Sequence, residues 1–285
     1  MKNPYKRTDV FKCSYDGHAK FDNRVSAFHV LRQKKCYPQG CLMFHWSCEL
    51  KNKGKSCYRG YNYVGRLCEG CPHYDDNKVH HQPRLLLDHA QYEAFQQQVE
   101  AFEEWLAEHR DRDLDVLCEV SSVKPCFRKT ITDGRGQLRL DGYLLVIRRG
   151  FIGLTEFDDY FYARISPHQQ DRLRIAPDDR FEARARLALD RGRVLLTRLW
   201  SVQVEERSGA ETWNNSRALV AKISAVEFAQ QPENCFRCPQ GALVDVVEIC
   251  DGEKRNKRAL YCLAGVSAPE LCSLQVFEKM DMCIG

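Results

Sequence analysis

From Tyr92 to Leu106 the apolar residues Tyr92, Phe95, Val99, Phe102 and Leu106 recur at spacings of three and four. That period predicts one helix with a single apolar stripe. Asp88 stands where a cap belongs, and Glu93, Glu100, Glu103, Glu104 and Glu108 lie largely off the stripe. An isolated helix needs tertiary support, so the stripe is expected to face a core. Docking of helix 83–110 onto a partner protein is the alternative. Beyond residue 113 the period shortens to two. Leu114–Val123 is rich in β-formers, Asp133-Gly134-Arg135-Gly136 reads as a hairpin turn, and 138–147 follows as a strand. Residues 159–165 suit another strand. Ser166-Pro167 opens a short helix to Leu173, with the serine as cap and the proline at the first helical position. Phe181, Ala183, Ala185, Leu187 and Leu189 then alternate. Asp190-Arg191-Gly192-Arg193 turns the chain into a return strand, 194–204, and a last strand pair is expected near 218–228. Residues 1–82 show no comparable period.

The order strand–strand–strand–helix–strand–strand over 113–228 resembles an OB-fold, a small Greek-key barrel. Residues 229–285 also suggest a family. Cys235-x2-Cys238 is followed by a strand at Gly241–Ile249, a turn at 251–258 and a return strand at 259–263, with Cys262 and Cys272 beyond. This knuckle, hairpin and second ligand pair resemble a zinc ribbon, although nine residues rather than two separate the second pair. The expected fold is therefore mainly β (α+β). It has an N-terminal Cys-rich metal module (1–82), an amphipathic helix (83–112), an OB-like small barrel (113–228) and a C-terminal zinc-ribbon-like module (229–285).

Composition supports a folded chain, since 44% apolar and 11% aromatic residues can build a core. No run of about 18 apolar residues is present, so no membrane-spanning helix is expected. The first ten residues are basic and polar with no apolar stretch behind them, unlike a secretory signal. The expected compartment is cytoplasmic, where thiols stay reduced and clustered cysteines mean metal. Charge is uneven. Residues 1–82 hold 15 Lys+Arg against 7 Asp+Glu, whereas 83–112 hold 3 against 7. The basic N-terminal part attracts polyanions.

Candidate chemistry lies in the 15 cysteines. Cys36, Cys41, Cys48, Cys57, Cys68 and Cys71 form one set; Cys235, Cys238, Cys250, Cys262, Cys272 and Cys283 form another. Each set contains a Cys-x-x-Cys-Pro turn, and two thiolates on such a turn can grip one metal ion. The expected ligands are the first six and Cys235, Cys238, Cys262 and Cys272. Zn2+ is the leading expectation and a 4Fe–4S cluster the alternative. The prolines after ligating cysteines favour the cluster; the wide spacings argue against it. Six thiols exceed one tetrahedral site. Cys57, Cys68 and Cys71 with Cys48 make the firmest group. Cys36 and Cys41 either replace members of that group or start a second site with His45 or His73. His80 and His81 are expected to face solvent. Cys13 is within reach of the first module, while Cys118 and Cys126 read as inert buried thiols.

No nucleophile triad, Walker loop or dinucleotide glycine pattern occurs, so a non-catalytic binding role is expected. Nucleic acid, single-stranded or structured, is the expected partner. Arg148, Arg149, Arg164, Arg184, Arg186, Arg191, Arg193 and Arg198 are candidate phosphate contacts, and Tyr143 and Tyr162 candidate stacking residues. Two further readings stand beside this one: an iron–sulfur protein moving electrons or sensing redox state for a partner enzyme, and a structural subunit of a larger assembly.

Overall fold

A computed structural model describes residues 1–228, 233–250 and 253–273. The fold is sheet-rich α+β with one large mixed sheet. The chain forms two compact units: Tyr5–Gln96, and Met1–Pro4 together with the chain from Gln97 onward.

In the Tyr5–Gln96 unit, β1 (Phe11–Lys12) pairs antiparallel with β2 (Arg24–Val25). A five-residue π-helical turn, His29–Gln33, leads to β3 (Cys41–Cys48) and α1 (Glu49–Asn52). β4 (Tyr74–His81) returns antiparallel to β3 over eight residue pairs. β5 (Arg84–Leu85) then joins the other edge of β1. The strands β3 and β4 were not foreshadowed by alternation. Their sequence is nearly continuous apolar on one strand and polar on the other, and the 25 residues between them hide the pairing. The small core of this unit includes Val10, Phe11, Val25, Ala27, Val30 and Phe95.

The division between units falls inside α2 (His89–His109). Asp88 caps it as expected: its Oδ1 accepts from the Gln91 N–H at 2.8 Å, and the Gln91 side chain accepts from the Asp88 N–H at 3.2 Å. The apolar stripe is inward. Phe95 and Phe102 are buried, and Trp105 joins them, donating from Nε1 to Thr155 Oγ1 at 3.0 Å.

The second unit begins with two long strands, β6 (Asp113–Thr132) and β7 (Arg135–Ile152), joined at Asp133-Gly134. Both turn residues have positive φ, 50° and 75°, the geometry that matches strand twist and favours glycine. β8 (Thr155–Phe157) and β9 (Phe161–Ile165) follow. α3 (Pro167–Leu173) has a complete capping box, with Ser166 accepting from the Gln169 N–H. Next come β10 (Arg180–Asp190), β11 (Arg193–Glu206), α4 (Asn215–Ser224) and β12 (Val226–Phe228). The expected strand pair at 218–228 is thus mostly helix. Asn214 caps α4, which buries Ala218 and Ala221 and turns Leu219, Val220 and Ile223 outward. Those outward apolar side chains imitate a strand in the sequence. α5 (Glu233–Arg237) precedes the hairpin β13 (Gly241–Cys250) and β14 (Glu253–Cys262). The return strand begins at Glu253, within the stretch expected to be turn; Asp251 and Gly252 lie outside the described residues.

Pairing among five of these strands closes on itself. β6 pairs antiparallel with β7, β7 with β9 and β10 with β6. β10 and β11 are antiparallel, and β11 runs parallel to β9. Phe161, Phe181, Tyr143, Leu145, Ile147 and Leu196 are buried residues of the circuit. Register shifts in β6–β7 and β10–β11 add bends. β6 is long enough for two partners on its second edge: Asp113–Glu119 pairs with β10, and Arg128–Thr132 pairs in parallel with β13. The C-terminal hairpin therefore extends the same sheet.

Among the described residues no helix is long and apolar enough to cross a membrane.

Candidate metal centres and an exposed aromatic face

Cys48 ends β3 opposite Tyr74 of β4. Just before Tyr74, two tight turns follow one another: the Cys71 N–H donates to Cys68 O at 3.0 Å, and the Tyr74 N–H to Cys71 O at 3.0 Å. The Tyr58 hydroxyl lies 3.5 Å from Cys71 Sγ, which brings the Cys57 loop to the same turn. That hydroxyl, and then the His73 backbone N–H, pulls the Cys71 thiol below its usual pKa. Local donors of this kind favour the thiolate that a metal needs. His73 faces Glu49 at 3.6 Å.

Cys36 and Cys41 lie elsewhere in the unit. They line a cavity of about 220 Å³ with Cys13, His18, His29, Tyr15 and Lys34. Burial raises both thiols above the usual range, and the neighbouring sulfurs reinforce it, Cys41 and Cys13 for Cys36 and Cys13 for Cys41. His45 is on the same strand as Cys41, two pleats along. Its Nε2 is buried without a hydrogen-bond partner, as is Nε2 of His81. His81 departs from expectation. It is 8% exposed, pairs across the hairpin with Cys41, and holds Ser14 Oγ at 3.2 Å through Nδ1. His80 is exposed as expected, its Nε2 2.7 Å from Gln39 O.

In the C-terminal hairpin, Cys235 and Cys262 share a buried cluster with Phe228 and Leu260. Cys238 follows α5, and the Gln240 N–H approaches its sulfur at 3.4 Å. Gly241 is required by the close return of the chain, since a Cβ there would meet Cys235 O at 1.8 Å. Cys272 ends a short 3-10 turn, Pro269–Leu271. Cys283 lies outside the described residues. The knuckle has an anchor that sequence reasoning missed. Buried Lys124 of β6 donates from Nζ to Phe236 O (2.5 Å), Cys238 O (2.9 Å) and Gly241 O (3.2 Å). Burial pushes its pKa down to about 8, against the pull of Cys238 and Cys235. The only sequence trace is a lysine in an apolar run, Val123-Lys124-Pro125-Cys126. Among the described residues no three His, Cys, Asp or Glu side chains are already disposed to hold a metal ion.

Most candidate arginines are held by acids. Arg148 and Arg149 clasp Glu119, and Arg148 also reaches Asp178 at 2.9 Å. Arg164 binds Asp141 at 3.1 Å, Arg186 binds Asp113 at 2.8 Å, and Arg184 stands 3.5 Å from Asp115. Arg193 pairs with Asp190 and lies 4.9 Å over the Tyr162 ring. Arg184 likewise covers Trp200 at 5.7 Å. Arg191 and Arg198 are exposed, with no ion pair among the described residues. Tyr143 is fully buried, its hydroxyl donating to Asn215 at 3.0 Å, so its ring offers no surface for stacking.

The outer face of β3–β4 has the opposite character. Leu42, Phe44 and Trp46 alternate outward and are 51%, 50% and 43% exposed. Lys78 of β4 reaches over the Phe44 ring at 5.6 Å, with exposed His80 beside Leu42 and exposed Asp76 beside Trp46. The connecting segment adds exposed Tyr58, Tyr63 and Leu67 and the basic residues Lys51, Lys53, Lys55, Arg59 and Arg66.

No protein-family model matches this chain, and no curated protein or solved structure matches it significantly.

Proposed function

We propose that this chain is a zinc-stabilised, non-catalytic protein that binds single-stranded nucleic acid, with the outer face of β3–β4 as its stacking platform. The observation that carries this reading is the solvent-exposed row Leu42, Phe44, Trp46 flanked by Lys78 and a lysine- and arginine-rich connection. Successive outward side chains on a strand stand about 6.6 Å apart, and aromatic rings so arranged offer faces to unpaired bases. Flanking cations meet phosphates without reading sequence. Buried in a core, these rings would need no further account; exposed beside lysines, they favour a base-bearing polyanion.

The closed circuit β6–β7–β9–β11–β10, with α3 between β9 and β10, supports an OB-like barrel within the second unit. Arg191 and Arg198, with no ion pair among the described residues, are the barrel arginines that can add phosphate contacts; Arg193 stacks on Tyr162 but is itself held by Asp190. Zinc at Cys48, Cys57, Cys68 and Cys71 closes the base of β3–β4, and Cys235, Cys238, Cys262 and Cys272 serve the C-terminal hairpin.

Fluorescence anisotropy with a labelled single-stranded oligonucleotide tests the reading. Binding should fall steeply with salt, as counterion release requires. Stacking supplies about 1–3 kcal/mol per base, so Phe44→Ala and Trp46→Ala should each weaken binding by about 5- to 150-fold. Absence of binding at low salt, or binding indifferent to both substitutions, would overturn it.

A further inference from the structure

We propose that Cys13, His18, Cys36 and Cys41 form a second zinc site in the Tyr5–Gln96 unit, a three-thiolate, one-imidazole centre separate from the four-cysteine site at the base of β3–β4. This rests on the reading that zinc staples the unit, and it settles which residues share which ion.

Four observations carry it. All four side chains line the same cavity of about 220 Å³. They come as two pairs of equal spacing, Cys13-x4-His18 and Cys36-x4-Cys41, each closed by backbone turns. The Gly40 N–H donates to Cys36 O, and the His18 N–H donates to Tyr15 O at 2.8 Å. Hairpins and turns that present ligands in pairs are the usual way zinc gathers four from a short chain. The third observation is chemical. Three cysteines and two histidines line this one cavity, and none of the cysteines is in a disulfide. Thiolates and an imidazole gathered on one cavity are a donor set that a divalent cation such as zinc takes. Lys34 stands at the cavity wall, where its charge balances the net negative charge of a three-thiolate zinc centre.

The fourth observation is arithmetic of donors. Residues 1–82 contain seven cysteines. Three at this site and four at Cys48, Cys57, Cys68 and Cys71 leave no thiol over. His18 is assigned the fourth position by its spacing from Cys13, which matches that of Cys36 and Cys41; Tyr15 and His29 pack edge-on to its ring at 5.2 and 5.0 Å. The ligands are not preassembled at bonding distance, so loading is expected to draw the cavity walls inward, with binding and ordering as one event.

The test is zinc content of the full chain, purified under reducing conditions, by elemental analysis. Cys36→Ser with Cys41→Ser should lose one zinc per chain, Cys68→Ser with Cys71→Ser a different one, and the two losses should add. If the Cys36/Cys41 variant keeps all its zinc while the Cys68/Cys71 variant loses one, the second site is refuted and the stapled unit stands. If both pairs remove the same single zinc, the cysteines share one ion and the proposal is again refuted. Zinc missing from the unsubstituted chain would sink the metal reading itself. Should a serine variant not fold, His18→Cys replaces it. With Co2+ in place of zinc, the added thiolate should move the visible bands to longer wavelength; an unchanged spectrum excludes His18 as a ligand.

Discussion

The hairpins β3–β4 and β10–β11 are both long and antiparallel, but they differ sharply in how much apolar surface they bury. Of the sixteen residues in β3 and β4, Cys48 and His81 alone are buried, while Leu42, Phe44 and Trp46 face solvent. In β10–β11, Phe181, Ala183, Ala185, Leu187, Val194 and Leu196 are all buried. Ladder hydrogen bonds contribute only about 0.5–1.5 kcal/mol each, whereas a buried large apolar side chain contributes about 1.5–3 kcal/mol. A two-stranded hairpin without a packed face is marginal by itself. Regular pairing thus has two different sources of support here. One is burial within a closed circuit of strands. The other, on the present proposal, is ligation at the strand ends.

The largest expected effect separates these sources directly. Removing metal with a chelator should abolish hydrogen-exchange protection along β3–β4 and leave β6, β7, β10 and β11 protected. Equal loss in both regions, or none in either, would erase the contrast. A smaller effect compares one residue type in two settings. Phe181→Ala should cost about 3–5 kcal/mol in urea unfolding, through lost transfer energy and a cavity. Phe44→Ala should stay within about 0.5 kcal/mol, because its ring is already half in water. The smallest effect is in pH dependence. Burial raises the Cys118 thiol well above its ordinary value of 9.0. Folded Cys118 therefore keeps its proton where the unfolded chain loses it. Its contribution is complete below pH 9 and is lost as pH rises further, at up to about 1.4 kcal/mol per pH unit. Cys118→Ala should flatten the alkaline fall in stability by that amount; an unchanged slope would show that Cys118 does not govern it.

Local signals in the chain were readable. The caps Asp88 and Ser166-Pro167 depend on side chains bonding to backbone three residues away, and the turns Asp133-Gly134 and Arg191-Gly192 on residues that accept positive φ, so sequence proximity carries them. Most strands of the β region were legible as alternation punctuated by turns, but β8 was not, and α4 occupies most of the stretch where a strand pair was expected. Features made by distant partners were not legible. Tyr143 could be read as a stacking ring or as core; it is core, with its hydroxyl donating to Asn215, 72 residues on. His81 became buried because Ser14 and Tyr15 cover it. Arg193 met Asp190 three residues away, a local pair; the acids that hold Arg148, Arg149, Arg164, Arg184 and Arg186 lie on neighbouring strands, and no spacing rule in one dimension says which acid meets which arginine across a sheet. The cysteines stood out in the sequence as clusters, but the chain between Cys13 and His18 on one side and Cys36 and Cys41 on the other hid the fact that they line one cavity.

Lys124 has a consequence for the order of assembly. Its three carbonyl partners lie 112 to 117 residues further along the chain. A ribosome has made β6, and the strands that can close the circuit with it, long before Phe236 exists. Until then this ammonium keeps its water. Contacts across so long a loop form slowly. The segment Cys235–Gly241 is therefore set to dock late, and its arrival strips the lysine of solvent, so the C-terminal knuckle registers in its own closure that the strand beneath it is already in place.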